Sequence, residues 1–344
     1  MKLIETIHAE GHVLCQDITQ IIPGVYKGAK FKKGHIVTVE DIPVLLSIGK
    51  EHLYVWEKDD SMYHEDEAAE ILYKICAGEY MSRSEVHEGK IEARAEIDGL
   101  LKIDTELLNQ INSLGEMMIA SRYPNLPVKK GEKLCGTRII PLVIEKEKME
   151  EAVKVCGGRT ILKLLPYQKK KVGIVTTGSE VYKGLIEDAF GPVLREKVAE
   201  YGADVIRQVI VDDDPEHTKA AVLELIGEGA DIVLCSGGMS VDPDDKTPLA
   251  IKETGADIIS YGAPVLPGAM FLLSYLKKDG KTIPVLGLPG CVMYAKRTIF
   301  DLVLPRIMAD DPVTAGELAK LGRGGLCLNC DVCHYPNCEF GKGW

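Results

Sequence analysis

Three short glycine-rich turns, each directly after an apolar run, constrain this chain more than any other feature. They are Thr176-Thr177-Gly178-Ser179-Glu180, then Ser236-Gly237-Gly238-Met239-Ser240 with its acidic continuation Val241-Asp242-Pro243-Asp244-Asp245, and Gly287-Leu288-Pro289-Gly290. The runs before them, 172–175, 232–235 and 283–286, read as strands buried on both faces. Parallel strands present their C-terminal ends to one edge of a sheet. Ligands bind in the crevice at that edge, where the strand order reverses. Three such turns therefore predict one phosphate-friendly pocket built from distant parts of the chain.

The surrounding pattern supports a sheet of that kind. From residue 171, apolar runs alternate with amphipathic ones: strands over 172–176, 205–211, 232–235, 258–259 and 283–286, and helices near 190–201, 215–226, 247–254 and 292–308. Asp214 and Pro215 have N-cap and first-turn chemistry for the second helix. Alternation predicts right-handed crossovers, hence an α/β fold with a mostly parallel sheet and helices on both faces. Four regions are expected: a small, β-rich mixed domain over 1–60, a mixed α/β domain over 61–168, the α/β domain over 171–310, and a linker with a Cys-rich tail over 311–344. Helices are expected over 65–77 and 104–115, and β structure over 92–97 and 134–144. The N-terminal half shows no catalytic motif.

Composition narrows the partners. The 344 residues carry a formal charge of −11 and have no basic run of five or more. Nucleic-acid surfaces need a basic face, so no nucleic-acid partner is expected. No segment reads as a signal region or a bilayer span. A cytoplasmic protein without a membrane partner is the expectation.

The turns combine amide and hydroxyl groups with carboxylates. Gly178 lets backbone approach a ligand closely, and Ser236-Gly237-Gly238 can form a nest of amides for an anion. Glu180 and Asp245 would meet beside those amides. A carboxylate beside a phosphate is unfavourable unless a divalent cation bridges them, so the combination implies Mg²⁺. Asp214 is equally explained as a helix cap. The chain has neither a Gly-x-x-x-x-Gly-Lys-Ser/Thr loop nor a Gly-x-Gly-x-x-Gly fingerprint after a strand.

Taken in order, Thr-Gly-Ser-Glu, Asp-Asp-Pro, Ser-Gly-Gly-Met-Ser-Val, Asp-Asp-Lys-Thr and Gly-Leu-Pro-Gly make 171–308 resemble the molybdopterin-binding domain of molybdenum-cofactor biosynthesis proteins. That group includes molybdenumtransferases, adenylyltransferases and gephyrin. Gly11-His12-Val13-Leu14-Cys15-Gln16-Asp17-Ile18 and the run 41–55 resemble the transferase's N-terminal half more loosely. The resemblance implies a homo-oligomer that binds molybdopterin, a small pterin phosphate. It also implies that adenylated molybdopterin receives molybdate beside Mg²⁺. Thr176, Thr177, Gly178, Ser179, Ser236, Gly237, Gly238, Met239, Ser240, Pro289 and Gly290 would hold the pterin and its phosphate. Glu180, Asp214 and Asp245 would take the functional acids' positions. Two departures stand out. Cys291-Val292 replace Asn-Pro after the last glycine, and Leu266-Pro267-Gly268-Ala269-Met270 replaces a stretch that carries two lysines. Two alternatives follow: a non-catalytic carrier or sensor of molybdopterin, and a nucleotide pyrophosphatase like the competence-damage-inducible family, which Asp242–Thr247 resembles.

Six of the ten cysteines are scattered, mostly within apolar segments, and read as small reduced hydrophobes. The other four, Cys327, Cys330, Cys333 and Cys338, fall within twelve residues. Their spacing resembles the ferredoxin-type Cys-x2-Cys-x2-Cys-x3-Cys run with one extra residue and no following proline. A [4Fe–4S] cluster and a Cys₄ Zn²⁺ site each fit these ligand types. A redox sensor and a docking element for a molybdoenzyme are two uses of the tail that the sequence does not separate.

Overall fold

The computed structural model describes residues 1–56 and 59–343. Glu57 and Lys58, at the end of the first expected region, lie outside the described residues. The chain divides into two compact units. The first holds 1–96, 103–122 and 131–163; the second holds 97–102, 123–130 and 164–344. Among the described residues no helix is long and apolar enough to cross a membrane.

In the first unit, Lys90–Ala95 and Lys133–Ile139 form the middle of a four-stranded antiparallel sheet flanked by Met81–Arg83 and Met117–Ser121. Helices Glu65–Cys76 and Thr105–Ser113 occupy the expected places, and Asp104 caps the second through the Leu107 N–H. Helix Lys146–Cys156 had no expectation; it ends on Gly157 at φ 56°. A small core of Leu14, Ile18, Phe31, Leu45 and Leu53 sits under the N-terminal hairpins.

The largest sheet of the second unit has six strands. Its strands are β1 (Lys171–Thr177), β2 (Asp204–Val211), β3 (Ile232–Ser236), β4 (Asp257–Tyr261), β5 (Leu272–Lys278) and β6 (Lys281–Leu288), in the order β2-β1-β3-β6-β5-β4. The pairs β1·β2, β1·β3 and β3·β6 are parallel. The sheet then reverses, because β5·β6 and β4·β5 are antiparallel. Sequence reading missed β5. The hairpin turns on Asp279-Gly280, both at positive φ (51° and 77°), as a two-residue primed turn requires.

Alternation along the central strands divides the core between two faces. Val172, Ile174, Ile232, Leu234 and Leu286 pack with Leu194, Val198 and Phe300. Val175, Val233, Cys235 and Val285 pack with Val222 and Leu225. Gly173 faces Leu225, where a Cβ would lie 2.9 Å from that side chain. The helix thus approaches β1 only because no side chain is there. The helix expected over 292–308 splits: a 3-10 turn Gly290–Met293 precedes helix Ile299–Met308. Thr298 starts that helix as its N-cap, with Asp301 completing the capping box. The 310–325 stretch contains helix Ala315–Lys320, whose Leu318 joins the core.

Buried Asp301 receives Lys197 Nζ at 2.7 Å and Arg297 at 2.9 Å, and also bonds the Thr298 N–H at 2.7 Å. Truncating it strands the buried Lys197 ammonium. Asp301→Ala is expected to destabilise the second unit by about 3–5 kcal/mol. Denaturant unfolding followed by circular dichroism checks this, and a change below about 1 kcal/mol refutes it. In the first unit, burial, then the neighbouring Asp66 charge, pushes the Glu65 carboxyl up to about 7. A carboxyl with a raised folded-state pKa favours the fold only while protonated. Its contribution is therefore present in acid and lost as pH rises through 7. Glu65→Gln should stabilise this unit by roughly 2–3 kcal/mol at pH 8 and change little near pH 4. Equal effects at both pH values would exclude this origin.

Candidate functional site

β1 has partners on both sides, and the chain leaves it to build β2 on one side and β3 on the other. That reversal of order is the switch point at which a crevice opens. The parallel register aligns Thr176 with Ser236, and Ser236 with Leu288. The three turns therefore leave the sheet at one edge.

Their backbones touch. Gly237 has φ 88°, and a Cβ there would lie 2.1 Å from the Thr177 carbonyl oxygen. Gly238, at φ 57°, faces the Thr247 hydroxyl at 2.7 Å from the same hypothetical atom. Thr247 Oγ1 donates to the Gly237 carbonyl at 2.9 Å, and its N–H donates to the Gly238 carbonyl at 3.1 Å. The Thr177 and Thr247 hydroxyls lie 3.2 Å apart. Ser236 Oγ donates to Thr176 Oγ1 at 3.3 Å, and Gln208 Nε2 donates to the same oxygen at 3.0 Å. All four hydroxyl residues are buried. They brace the turns from below.

Above them lies a cleft of about 450 Å³. Of the residues expected at the site, Gly237, Gly238, Met239, Ser240, Asp245, Pro289 and Gly290 line it. Asp245 receives the Ser240 N–H at 3.1 Å, which fixes the acidic loop over the nest. Met239 is buried against Gly287, where a Cβ would lie 2.6 Å from its sulfur. Tyr261 donates to the Met239 carbonyl at 3.0 Å. Burial, then the Asp245 charge, raises its hydroxyl pKa, so it stays a donor.

The remaining expected residues stand outside that lining. Gly178 is buried at φ 144°, and the exposed Glu180 carboxylate folds back beside it. The Ser179 N–H donates to Asp213 at 2.9 Å. Asp214 accepts the Glu216 N–H at 2.9 Å as the N-cap of helix Pro215–Gly227. Asp213, not Asp214, thus holds the first turn; the run of three aspartates was visible in sequence, but which one bends inward depends on the cap.

The cleft has further walls that sequence reasoning missed. Phe190, Met270 and Tyr294 line it, and no motif marks them. Ala269 lines it too, in the stretch where the resemblance expects lysines. Asp245 is the cleft's one charged lining residue among the described residues. Cys291 is half-buried there, and burial raises its thiol pKa. Among the described residues no three His, Cys, Asp or Glu side chains are gathered as a metal site.

The tail packs onto the same unit. Leu266 N–H donates to the Gly325 carbonyl at 2.8 Å, and Cys327 N–H to the Leu266 carbonyl at 2.8 Å. Phe340 is buried, and the partly buried Tyr335 packs beside it, its hydroxyl donating to the Asp301 carbonyl at 3.0 Å. Cys327, Cys330, Cys333 and Cys338 all line one cavity of about 500 Å³.

Comparison with known proteins divides along these lines. Residues 3–57 match a family described as a domain of unknown function. Residues 173–309 match the family described as a probable molybdopterin binding domain. The CinA-like protein of Mycobacterium avium (strain 104) is 35% identical over 77 residues, 22% of this chain and 18% of that protein. The CinA-like protein of Anaeromyxobacter dehalogenans (strain 2CP-C) is 39% identical over 116 residues, 33% of this chain and 27% of that protein. The chain thus spans under a fifth of the first of these relatives and about a quarter of the second. Among solved structures, the tungsten cofactor synthesizing protein MoaB from Pyrococcus furiosus is similar at 22% identity, covering 42% of this chain and 89% of its own, with a TM-score of 0.32. The protein CinA from Thermoplasma acidophilum is similar at 18% identity, covering 40% and 98%, also with a TM-score of 0.32. The match to the probable molybdopterin binding domain takes in the stretch that carries all three glycine turns.

Proposed function

We propose that this chain binds molybdopterin in the cleft at the edge of the β1–β3–β6 sheet and acts in molybdenum-cofactor biosynthesis, inserting molybdate into adenylated molybdopterin. One observation carries the reading. Three turns from distant parts of the sequence meet at one strand-end crevice, and two of them, around Gly237-Gly238 and Pro289-Gly290, line it directly.

The chemistry follows from the donors present. The cleft lining offers no cation among the described residues, so a terminal phosphate would be held by backbone amides around Gly237 and Gly238. Met239, Phe190 and Tyr294 supply apolar surface for the flat pterin. Mg²⁺ is often held by one or two carboxylates together with substrate phosphates. Asp245, the lining carboxylate, suits that arrangement, and the cation would then neutralise charge on the phosphoanhydride. Glu180 and Asp214 lie farther out, so their part in this reading is to shape the rim.

The assay uses the purified full chain with adenylated molybdopterin, molybdate and Mg²⁺. AMP release that depends on molybdate supports the transferase. Tight pterin binding without turnover would instead make the protein a carrier or sensor, a reading consistent with Ala269 and Leu266 standing where lysines were expected. The resemblance of Asp242–Thr247 to the competence-damage-inducible family favours one further reading, a nucleotide pyrophosphatase; cleavage of nucleotide pyrophosphates with no pterin binding would select it.

Two variants sharpen the test. Asp245→Asn should cut turnover by roughly 100-fold while leaving pterin affinity and the circular dichroism spectrum nearly unchanged; undiminished turnover removes Asp245 from the mechanism. Gly237→Ala drives a methyl into the Thr177 carbonyl and should weaken pterin binding by about tenfold or more. Calorimetric titration reads that loss, and unaltered affinity would place the ligand elsewhere.

A further inference from the structure

We infer that the four tail cysteines form a binding site for a [4Fe–4S] cluster, independent of the pterin reading. Four observations converge on it.

The first is placement. Cys327, Cys330, Cys333 and Cys338 all line a single cavity of about 500 Å³. A frayed tail would scatter them. Cys327, Cys330 and Cys333 keep the Cys-x2-Cys-x2-Cys spacing that gives three ligands to one cluster in ferredoxins, where the fourth Cys of the run serves a second cluster; here the interval to Cys338 is one residue longer. The fold absorbs that residue: the Asn337 N–H bonds the His334 carbonyl at 2.6 Å, closing a turn over Tyr335-Pro336. Cys338 is thereby returned to the same wall.

The second is the frame. Tyr335 and Phe340 anchor the segment in the core, on either side of Cys338. Gly341 lies against Leu302 with no room for a Cβ, which would fall 2.4 Å from its Cδ2. On the other side, residues 325–327 are hydrogen-bonded to Leu266. The cysteine loop is thus held at both ends, the kind of preorganisation a metal centre needs.

The third is charge. Four thiolates around an oxidised [4Fe–4S] core leave a net dianion. Lys296 lines the cavity, and its ammonium donates to the Cys330 and Asp331 carbonyls at 3.2 and 2.6 Å. The cation sits where the cluster's charge would develop. Leu326, Leu328 and Phe340 supply the apolar remainder of the wall.

The fourth is size. A single Zn²⁺ holds its four sulfurs about 2.3 Å from one centre, and structural zinc sites commonly draw on two separated Cys-x2-Cys knuckles. Here one compact run lines a single cavity of about 500 Å³. A cubane spreads its four thiolates over four irons, which suits that geometry.

The experiment isolates the full chain under anaerobic conditions. It is treated with ferrous and ferric iron and sulfide under a thiol reductant, then desalted. Iron, acid-labile sulfide and zinc are quantified, and the dithionite-reduced sample is examined by electron paramagnetic resonance. The expected result is about four irons and four sulfides per chain with a reduced-cluster signal. Cys330 and Cys333 are exposed, so Cys330→Ser and the Cys330→Ser/Cys333→Ser pair should keep the wild-type circular dichroism spectrum. Each should lose most of the iron and the signal. Stoichiometric zinc without sulfide, no retained metal, or iron content unaffected by both variants would overturn the assignment.

Discussion

The contact between the Gly237 backbone and the Thr177 carbonyl decides the geometry of the second unit's edge. Two strand ends must approach so closely that no Cβ fits between them. Everything at the rim follows from that approach. The buried hydroxyls of Thr176, Thr177, Ser236 and Thr247 satisfy one another beneath it. A polar cluster of this sort is costly if half satisfied and rigid when complete. The rim is accordingly rigid, with Asp245 as its one charged lining residue among the described residues.

Much of this was legible before any coordinates. The glycine turns, the strands ahead of them and the cap at Asp214 are local signals, carried by residue types whose backbone preferences are strong. The reversal after β4 was less so. Asp279-Gly280 announces a hairpin, but β5 reads Leu272-Leu273-Ser274-Tyr275-Leu276 without the flanking turn residues that would separate it from the preceding loop. The split near Thr298 was missed for another reason: Lys296-Arg297-Thr298 interrupt the apolar run at the break, and three polar residues are equally compatible with the exposed face of a continuous helix. Only the reciprocal bonds between Thr298 and Asp301 show where the helix begins.

The site was legible in outline and not in role. Sequence gathers hydroxyls, glycines and acids into one list, whereas the structure sorts them by depth. Thr176, Thr177 and Ser236 are support; Gly237, Gly238, Ser240 and Asp245 are surface. Periodicity cannot make that distinction, because β1 and β3 are buried on both faces. Phe190, Met270 and Tyr294 escaped notice because an aromatic at a helix start, or a methionine or tyrosine in a loop, has no pattern of its own until the fold brings a neighbour to it.

Tyr294 belongs to both hollows of this unit. The residue is 79% exposed and lines both the glycine-lined cleft and the cysteine-lined chamber. A side chain that free loses rotamer entropy when anything settles against it. Whichever guest arrives first would bear that ordering cost, and the next would find the partition already set. Two chemically unrelated occupants could thereby influence each other's affinity through one aromatic ring, without any rearrangement of the sheet that separates their loops.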